Sequence, residues 1–238
     1  VIEEPMILPL AGVEAWCEEG AWPWAEEHRA AIDAHWARRT AESPALYNGR
    51  VLICCERRVE DGILKVRYRE SDYASFLAMR DLDFPPGSAG NCFAMAALQA
   101  ADGPYLLGIM GDHTANAGRI YFPAGTPDPG DILPDRRVDL AGSVSRELLE
   151  ETGLGEDDVV IAETWTAVFH GARTALMRPV RSPLPADVLR AQIDAWLARQ
   201  EQPELAGMHV VRAPADIDSE RMPYFTQVFL QHLLDGPR

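Results

Sequence analysis

Positive charge is scarce in this chain. Its 238 residues hold 22 Lys and Arg against 37 Asp and Glu, a formal net charge of −15. A surface that acidic repels phosphate backbones and anionic bilayers, so neither nucleic acid nor membrane is expected as a partner. Long apolar runs are missing as well. None approaches the roughly 20 residues that span a bilayer, and the opening Val-Ile-Glu-Glu-Pro does not resemble a secretory signal. Cysteine is rare: Cys17, Cys54, Cys55 and Cys92 show no zinc-finger spacing. Neighbours on a strand point to opposite faces, so Cys54 and Cys55 would not bridge each other. All four are expected to be reduced and structural, and the chain to be cytoplasmic. Neither a repeat nor a low-complexity tract interrupts it.

What is present reads as an ordinary globular chain, 47% hydrophobic and 25% charged. Its length suits a main domain with a smaller attachment. Residues 1–20, with Pro5 and Pro9, are expected to form an extended arm. Pro23 opens a helix to about residue 41, with Trp24, Ile32 and Trp36 on one face. The early tryptophans Trp16, Trp22, Trp24 and Trp36 read as core. Strands over 50–58 and 63–70 join at Asp61-Gly62, and a short helix capped by Ser71 follows. Phe84-Pro85-Pro86-Gly87 breaks the chain, dividing it into 1–87 and 88–238. Beyond it, 91–99 and 105–110 read as a hairpin, 119–122 as a strand and 124–138 as a loop. A helix over 139–152, strands over 159–170 and 173–179, a helix over 185–199, a strand over 208–212 and a helix over 223–234 complete the order. His170 and His209 read as structural strand residues.

The chemistry concentrates in Arg146-Glu147-Leu148-Leu149-Glu150-Glu151-Thr152-Gly153-Leu154. On a helix Glu147, Glu150 and Glu151 stand at i, i+3 and i+4, so they share one turn of one face. Gly153 supplies the left-handed cap, and Val144 and Leu148 anchor the other side. Like charges at that spacing repel, at a cost of a few tenths of a kcal/mol per pair, on the order of the favourable pairs they invert. A divalent cation reverses that cost, and oxygen-only, carboxylate-rich ligation suits Mg2+ or Mn2+. One remaining carboxylate can serve as a general base.

This segment resembles the C-terminal half of the Nudix hydrolase signature, Arg-Glu-apolar-x-Glu-Glu-x-Gly-apolar, at every defined position. The resemblance implies an α/β (α+β) fold, an αβα sandwich around a mixed sheet, preceded here by a small N-terminal α/β domain. It implies Mg2+- or Mn2+-dependent hydrolysis of a diphosphate bond in a small-molecule nucleoside-diphosphate compound. Arg146 would orient Glu147, Glu147 would be base or metal ligand, and Glu150 and Glu151 would bind the metal. Phe122-Pro123-Ala124-Gly125 resembles the turn before the signature, which makes the carbonyls of Ala124 and Gly125 candidate ligands. The pattern departs at one place: Val138 stands eight residues before Arg146, where the family has Glu. Asp139 reads foremost as a helix cap and secondarily as a displaced ligand, while Asp128, Asp131 or Asp135 could replace the missing Glu. Glu201 and Glu204 are candidates for a further ligand, and His113 and Arg119 for substrate contact.

The front half, with Tyr47-Asn48-Gly49-Arg50 and Tyr68-Arg69-Glu70-Ser71-Asp72-Tyr73-Ala74-Ser75-Phe76-Leu77, resembles the first domain of Nudix UDP-sugar diphosphatases. That resemblance implies a nucleotide-sugar substrate, and relatives are frequently homodimers. The alternatives are a CoA-type diphosphatase, for which an arginine-rich segment is missing, and a non-catalytic nucleotide sensor.

Overall fold

The computed structural model describes residues 5–44, 46–82 and 89–236. Helices pack on both faces of a large mixed sheet, the layered α/β arrangement expected above. That sheet runs β1 (Met6–Leu10), β9 (Trp165–His170), β10 (Arg173–Arg181), β5 (Asn91–Gln99), β6 (Tyr105–Met110), β11 (Leu205–Val211), with β7 (Ile120–Tyr121) on β6 and β8 (Val160–Ile161) on β10. The centre is the parallel pair β5–β10. β5 is buried from Cys92 to Leu98, and a strand covered on both faces reads as a continuous apolar run.

Alternation along β5 decides what covers each face. Phe93, Met95 and Ala97 pack against α6 (Tyr224–Leu234) through Phe229 and Leu230. Ala94, Ala96 and Leu98 pack against α4 (Leu140–Thr152) through Val144 and Leu148, and the same core includes Leu189 and Ile193 of α5 (Ala186–Leu197).

A smaller sheet, β2 (Gly12–Glu18), β4 (Ile63–Asp72), β3 (Arg50–Glu60), leans on this core. One face of it joins the main core through Cys17, Cys54, Val66 and Tyr68, whose hydroxyl donates to the Cys92 carbonyl at 2.9 Å. Its other face is covered by α1 (Pro23–Glu27), α2 (Arg29–Glu42) and α3 (Tyr73–Asp81), around Trp22, Ile32, Ile53 and Met79. Trp22 is core as expected and stacks on Trp24 at 4.7 Å; Trp24 and Trp36 pack half-buried against the same cluster, and Trp16, half-buried on β2, is in none of the described core clusters. All four cysteines are free. Among the described residues no helix is long and apolar enough to cross a membrane.

Several expectations need correction. The first segment is no arm: β1 pairs antiparallel with β9 and β2 pairs parallel with β4. Pro9 is tolerated because β1 is an edge strand, where a missing N–H costs no ladder bond. The first long helix breaks at His28 into α1 and α2. Asp72, not Ser71, caps α3 by accepting from the Ser75 N–H at 2.8 Å. The hairpin of β5 and β6 is present but short, pairing at Gln99 and Tyr105, and the other edge of β5 is taken along its length by the parallel strand β10. The division expected at 87/88 lies outside the described residues, and β1, from the front of the chain, belongs to the sheet of the second half.

Candidate active site

Helix α4 carries the acidic turn. It starts at Asp139, whose carboxylate accepts from the Gly142 N–H at 2.8 Å, and ends at Gly153 with φ 73°. A side-chain cap of that kind is worth about 1 kcal/mol. Asp139 is thereby committed to the end of the helix remote from the acidic turn, which corrects its reading as a displaced ligand. The Gly153 position is closed to other residues twice over, by its left-handed backbone and by Trp196, 2.5 Å from where a Cβ would stand.

Val138 explains its own departure from the Nudix pattern. It is buried in the main core, and its N–H donates to the Ala15 carbonyl of β2 at 2.9 Å. A carboxylate there would be desolvated without a partner. The long loop before α4 is held against the small sheet: Leu52 N–H donates to the Pro127 carbonyl at 2.7 Å and Cys17 N–H to that of Arg136 at 2.9 Å.

Within that loop Asp131 is the acid that matters. Its side chain is 1% exposed and accepts from Arg146 Nη1 at 2.9 Å and from the Asp128 N–H at 3.0 Å. Arg146 Nη2 reaches Glu147 Oε1 at 3.3 Å. Arg146 thus touches Glu147, as the resemblance implies, and Asp131 fixes Arg146. Asp128 caps the short turn at Pro129–Asp131, and Asp135 pairs with exposed Arg137 at 2.6 Å. None of the three loop aspartates takes the vacant glutamate's place as a ligand in these contacts.

The acidic turn faces the Ala124–Gly125 backbone. The Ala124 N–H donates to Glu151 Oε1 at 3.2 Å. A Cβ at Gly125 would run into the Glu147 carboxylate, so glycine there leaves that side chain where it stands and a larger residue would make it move. Glu151 is buried, and its Oε2 has no hydrogen-bond partner among the described residues. Burial, then the charges of Glu204, Glu147 and Glu150, push the Glu151 carboxyl well above the usual range. Burial also pushes Glu147 up to about 7, against the opposing pull of Arg146, with Glu150 and Glu204 adding to the rise. Glu204, just before β11, is raised by burial and by Glu150, with His113 acting against it. Its side chain is exposed at the surface, and its charge acting on Glu147 and Glu151 joins it to the cluster, whereas Glu201, exposed as well, has no described contact with it.

The fit to a divalent cation rests on that orphaned buried oxygen and on the all-oxygen donor set around it. Among the described residues no three acidic, His or Cys side chains already stand as a closed metal shell. The Glu147 carboxylate accepts from Arg146 and that of Glu151 from the Ala124 N–H.

A cleft of about 390 Å3 opens beside this turn. Ala124, Gly125, Tyr121 and Arg119 line it from one side, and Tyr73, Phe76 and Arg80 of α3 from the other. Exposed Arg119 also donates to the Glu220 carbonyl at 3.0 Å. His113 does not line this cleft; it borders a neighbouring one of about 640 Å3 that shares Tyr73 and Arg80. His209 is structural as expected, with Nε2 2.7 Å from the Asp216 carbonyl. His170 is not merely structural: it lines the cleft, 5.0 Å from the Tyr224 ring. Sequence reading missed Tyr73, Arg80, His170 and Arg173 as cleft residues. No shared spacing links them, because they come from α3 and from the β9–β10 turn.

No family model matches the chain, and no curated protein matches it. Among solved structures, a Nudix hydrolase from M. smegmatis, RenU, is similar at 14% identity and TM-score 0.39, covering 61% of this chain and 83% of that one.

Proposed function

We propose that this protein is a Nudix-type hydrolase that cleaves a diphosphate bond in a nucleoside-diphosphate-linked compound, with Mg2+ or Mn2+ held on the acidic turn of α4. The observation that carries the reading is the buried, partnerless Glu151 Oε2 among the carboxylates of Glu147, Glu150 and Glu204. Left alone that carboxyl stays protonated, and a divalent cation joining it would let it ionise without leaving a buried charge unpaired.

Glu150 and Glu151 would hold the cation, with the carbonyls of Ala124 and Gly125 and the carboxylate of Glu204 within reach of the same space. Bound there, the cation would neutralise charge developing on the diphosphate and make water more acidic. Glu147 suits the general base, because its carboxylate stands against Gly125 beside the space the cation would fill. Arg146, fixed by Asp131, keeps the Glu147 carboxylate turned toward Gly125. The products would be a nucleoside monophosphate and a phosphorylated partner.

The resemblance of the front half favours a nucleotide sugar, and α3 supports a substrate role for that half because it walls the cleft. The test is product release from UDP-sugars, ADP-ribose, CoA, dinucleoside polyphosphates and nucleoside triphosphates, with and without Mg2+ or Mn2+. Metal-dependent turnover by the parent that drops by about 10²-fold in Glu147→Gln, as for a lost base, is expected. Nucleotide binding with no turnover in any metal would replace the enzyme by a nucleotide sensor.

A further inference from the structure

We infer that the Tyr121 hydroxyl, on the cleft wall beside the acidic turn, donates a hydrogen bond to a non-bridging oxygen of the substrate's diphosphate and so positions it for cleavage. This rests on the hydrolase reading and adds to it a neutral contact that no sequence pattern announced.

Strand pairing fixes where Tyr121 stands. It lies opposite Gly108 in the ladder between β7 and β6. Its neighbours Ile120 and Phe122 are fully buried, and Tyr121 itself packs half-buried against both core clusters of the main sheet. A donor held this way needs no reorganisation when charge moves in the reaction. Three residues on, Ala124 and Gly125 are the backbone against which the acidic turn packs, and all three residues line the same cleft. A diphosphate that reaches from the cleft to a cation on α4 therefore passes this wall.

A phenol has one proton to give and oxygen lone pairs to receive with. Asn116 Nδ2 donates to the Tyr121 oxygen at 3.1 Å, which leaves the proton of Tyr121 unused. Among the described residues no acceptor takes it. Glu151 Oε2 has no hydrogen-bond partner, so the hydroxyl does not spend its proton on the acidic turn either. Burial pushes the hydroxyl well above its usual range against the bond from Asn116, and the charges of Glu151 and Glu204 add to the rise, so it stays protonated and a donor. A neutral donor suits this place. A lysine or arginine so near would pair with the carboxylates and compete with the cation, whereas a phenol leaves their charge to the metal.

The experiment uses the full chain with saturating Mn2+ and methylenebisphosphonate, a diphosphate whose bridging carbon resists hydrolysis. Calorimetry follows its binding to the parent, Tyr121→Phe and Asn116→Ala, beside Mn2+ binding alone and the thermal midpoint. The parent should bind saturably. Tyr121→Phe removes one oxygen and keeps the ring, so binding should weaken by about tenfold or more, as for a lost hydrogen bond to a charged group, with Mn2+ affinity and midpoint unchanged. Asn116→Ala, which removes the bond that orients the hydroxyl, should lose less. Equal binding by the parent and Tyr121→Phe would overturn the inference and leave the hydrolase reading standing. A loss in Tyr121→Phe matched by a loss of Mn2+ affinity, or by a lower midpoint, would make the residue structural and overturn it as well. Absence of any binding by the parent in Mn2+ would overturn the hydrolase reading itself, and the inference with it.

Discussion

The acidic turn of α4 packs behind Ala124 and Gly125 at one end of the cleft, Arg80 and Arg173 line the cleft itself, and the two groups are built in opposite ways. Glu147, Glu150 and Glu151 come from one turn of one helix, so the backbone itself forces them together. Arg80 and Arg173 come from the end of a helix and the start of a strand, and only the packing of the small sheet and its helices against the main core makes them neighbours. Crowding of the first kind is written locally, in the spacing of one helix turn. Crowding of the second kind depends on the whole fold, with Asp81 pairing Arg80.

That contrast can be tested by breaking each side. The largest effect is expected from Gly125→Ala. Its Cβ would displace the Glu147 carboxylate while leaving the core alone, so turnover should fall tenfold or more with little change in thermal midpoint. Parallel kinetics and melting would check it, and loss of folding rather than turnover would mean that Gly125 serves the turn alone.

Next comes the pH dependence of stability without metal. Glu147 titrates near about 7 in the folded chain, against roughly 4.3 when unfolded. Because the folded pKa is raised, the folded state binds the proton more tightly. Stability from this group is greatest below the unfolded value, falls as pH rises from about 4.3 to about 7, and levels off above that. Glu151, raised in the same direction, deepens the decline. A cation on the carboxylates offsets it, so Mg2+ should raise the melting temperature more at pH 8 than at pH 5.5. A metal effect independent of pH would separate the cation from these carboxylates. The smallest effect is expected from Arg119→Gln. Arg119 is exposed at the cleft edge and partly spent on the Glu220 carbonyl, so a few-fold rise in KM with kcat unchanged is expected, as for lost uniform binding.

Much of this architecture was legible before any coordinates, and the exceptions have physical causes. The Asp61–Gly62 turn shows the positive φ values, 51° and 78°, that its residues implied. The capping of α4 by Asp139 and Gly153 follows the expected chemistry, because caps and helix faces are set within a few residues. β1 was hidden by its prolines, which an edge position permits. Beside the expected antiparallel neighbour β6, β5 has a parallel partner some eighty residues on in the chain, a pairing local pattern does not encode. Asp131 stood among three loop aspartates of equal standing, and only its burial against Arg146 singles it out. Arg80 and Arg173 were invisible as cleft residues for the same reason: two residues from distant segments share no period.

The central claim is that the acidic turn of α4 holds a divalent cation, and Mn2+ binding followed by electron paramagnetic resonance tests it most directly, with the parent compared to Glu151→Gln. The account predicts saturable binding by the parent, competed by Mg2+ and weakened at least tenfold by removing the charge of Glu151. Equal binding by parent and variant, or none by either, would contradict it.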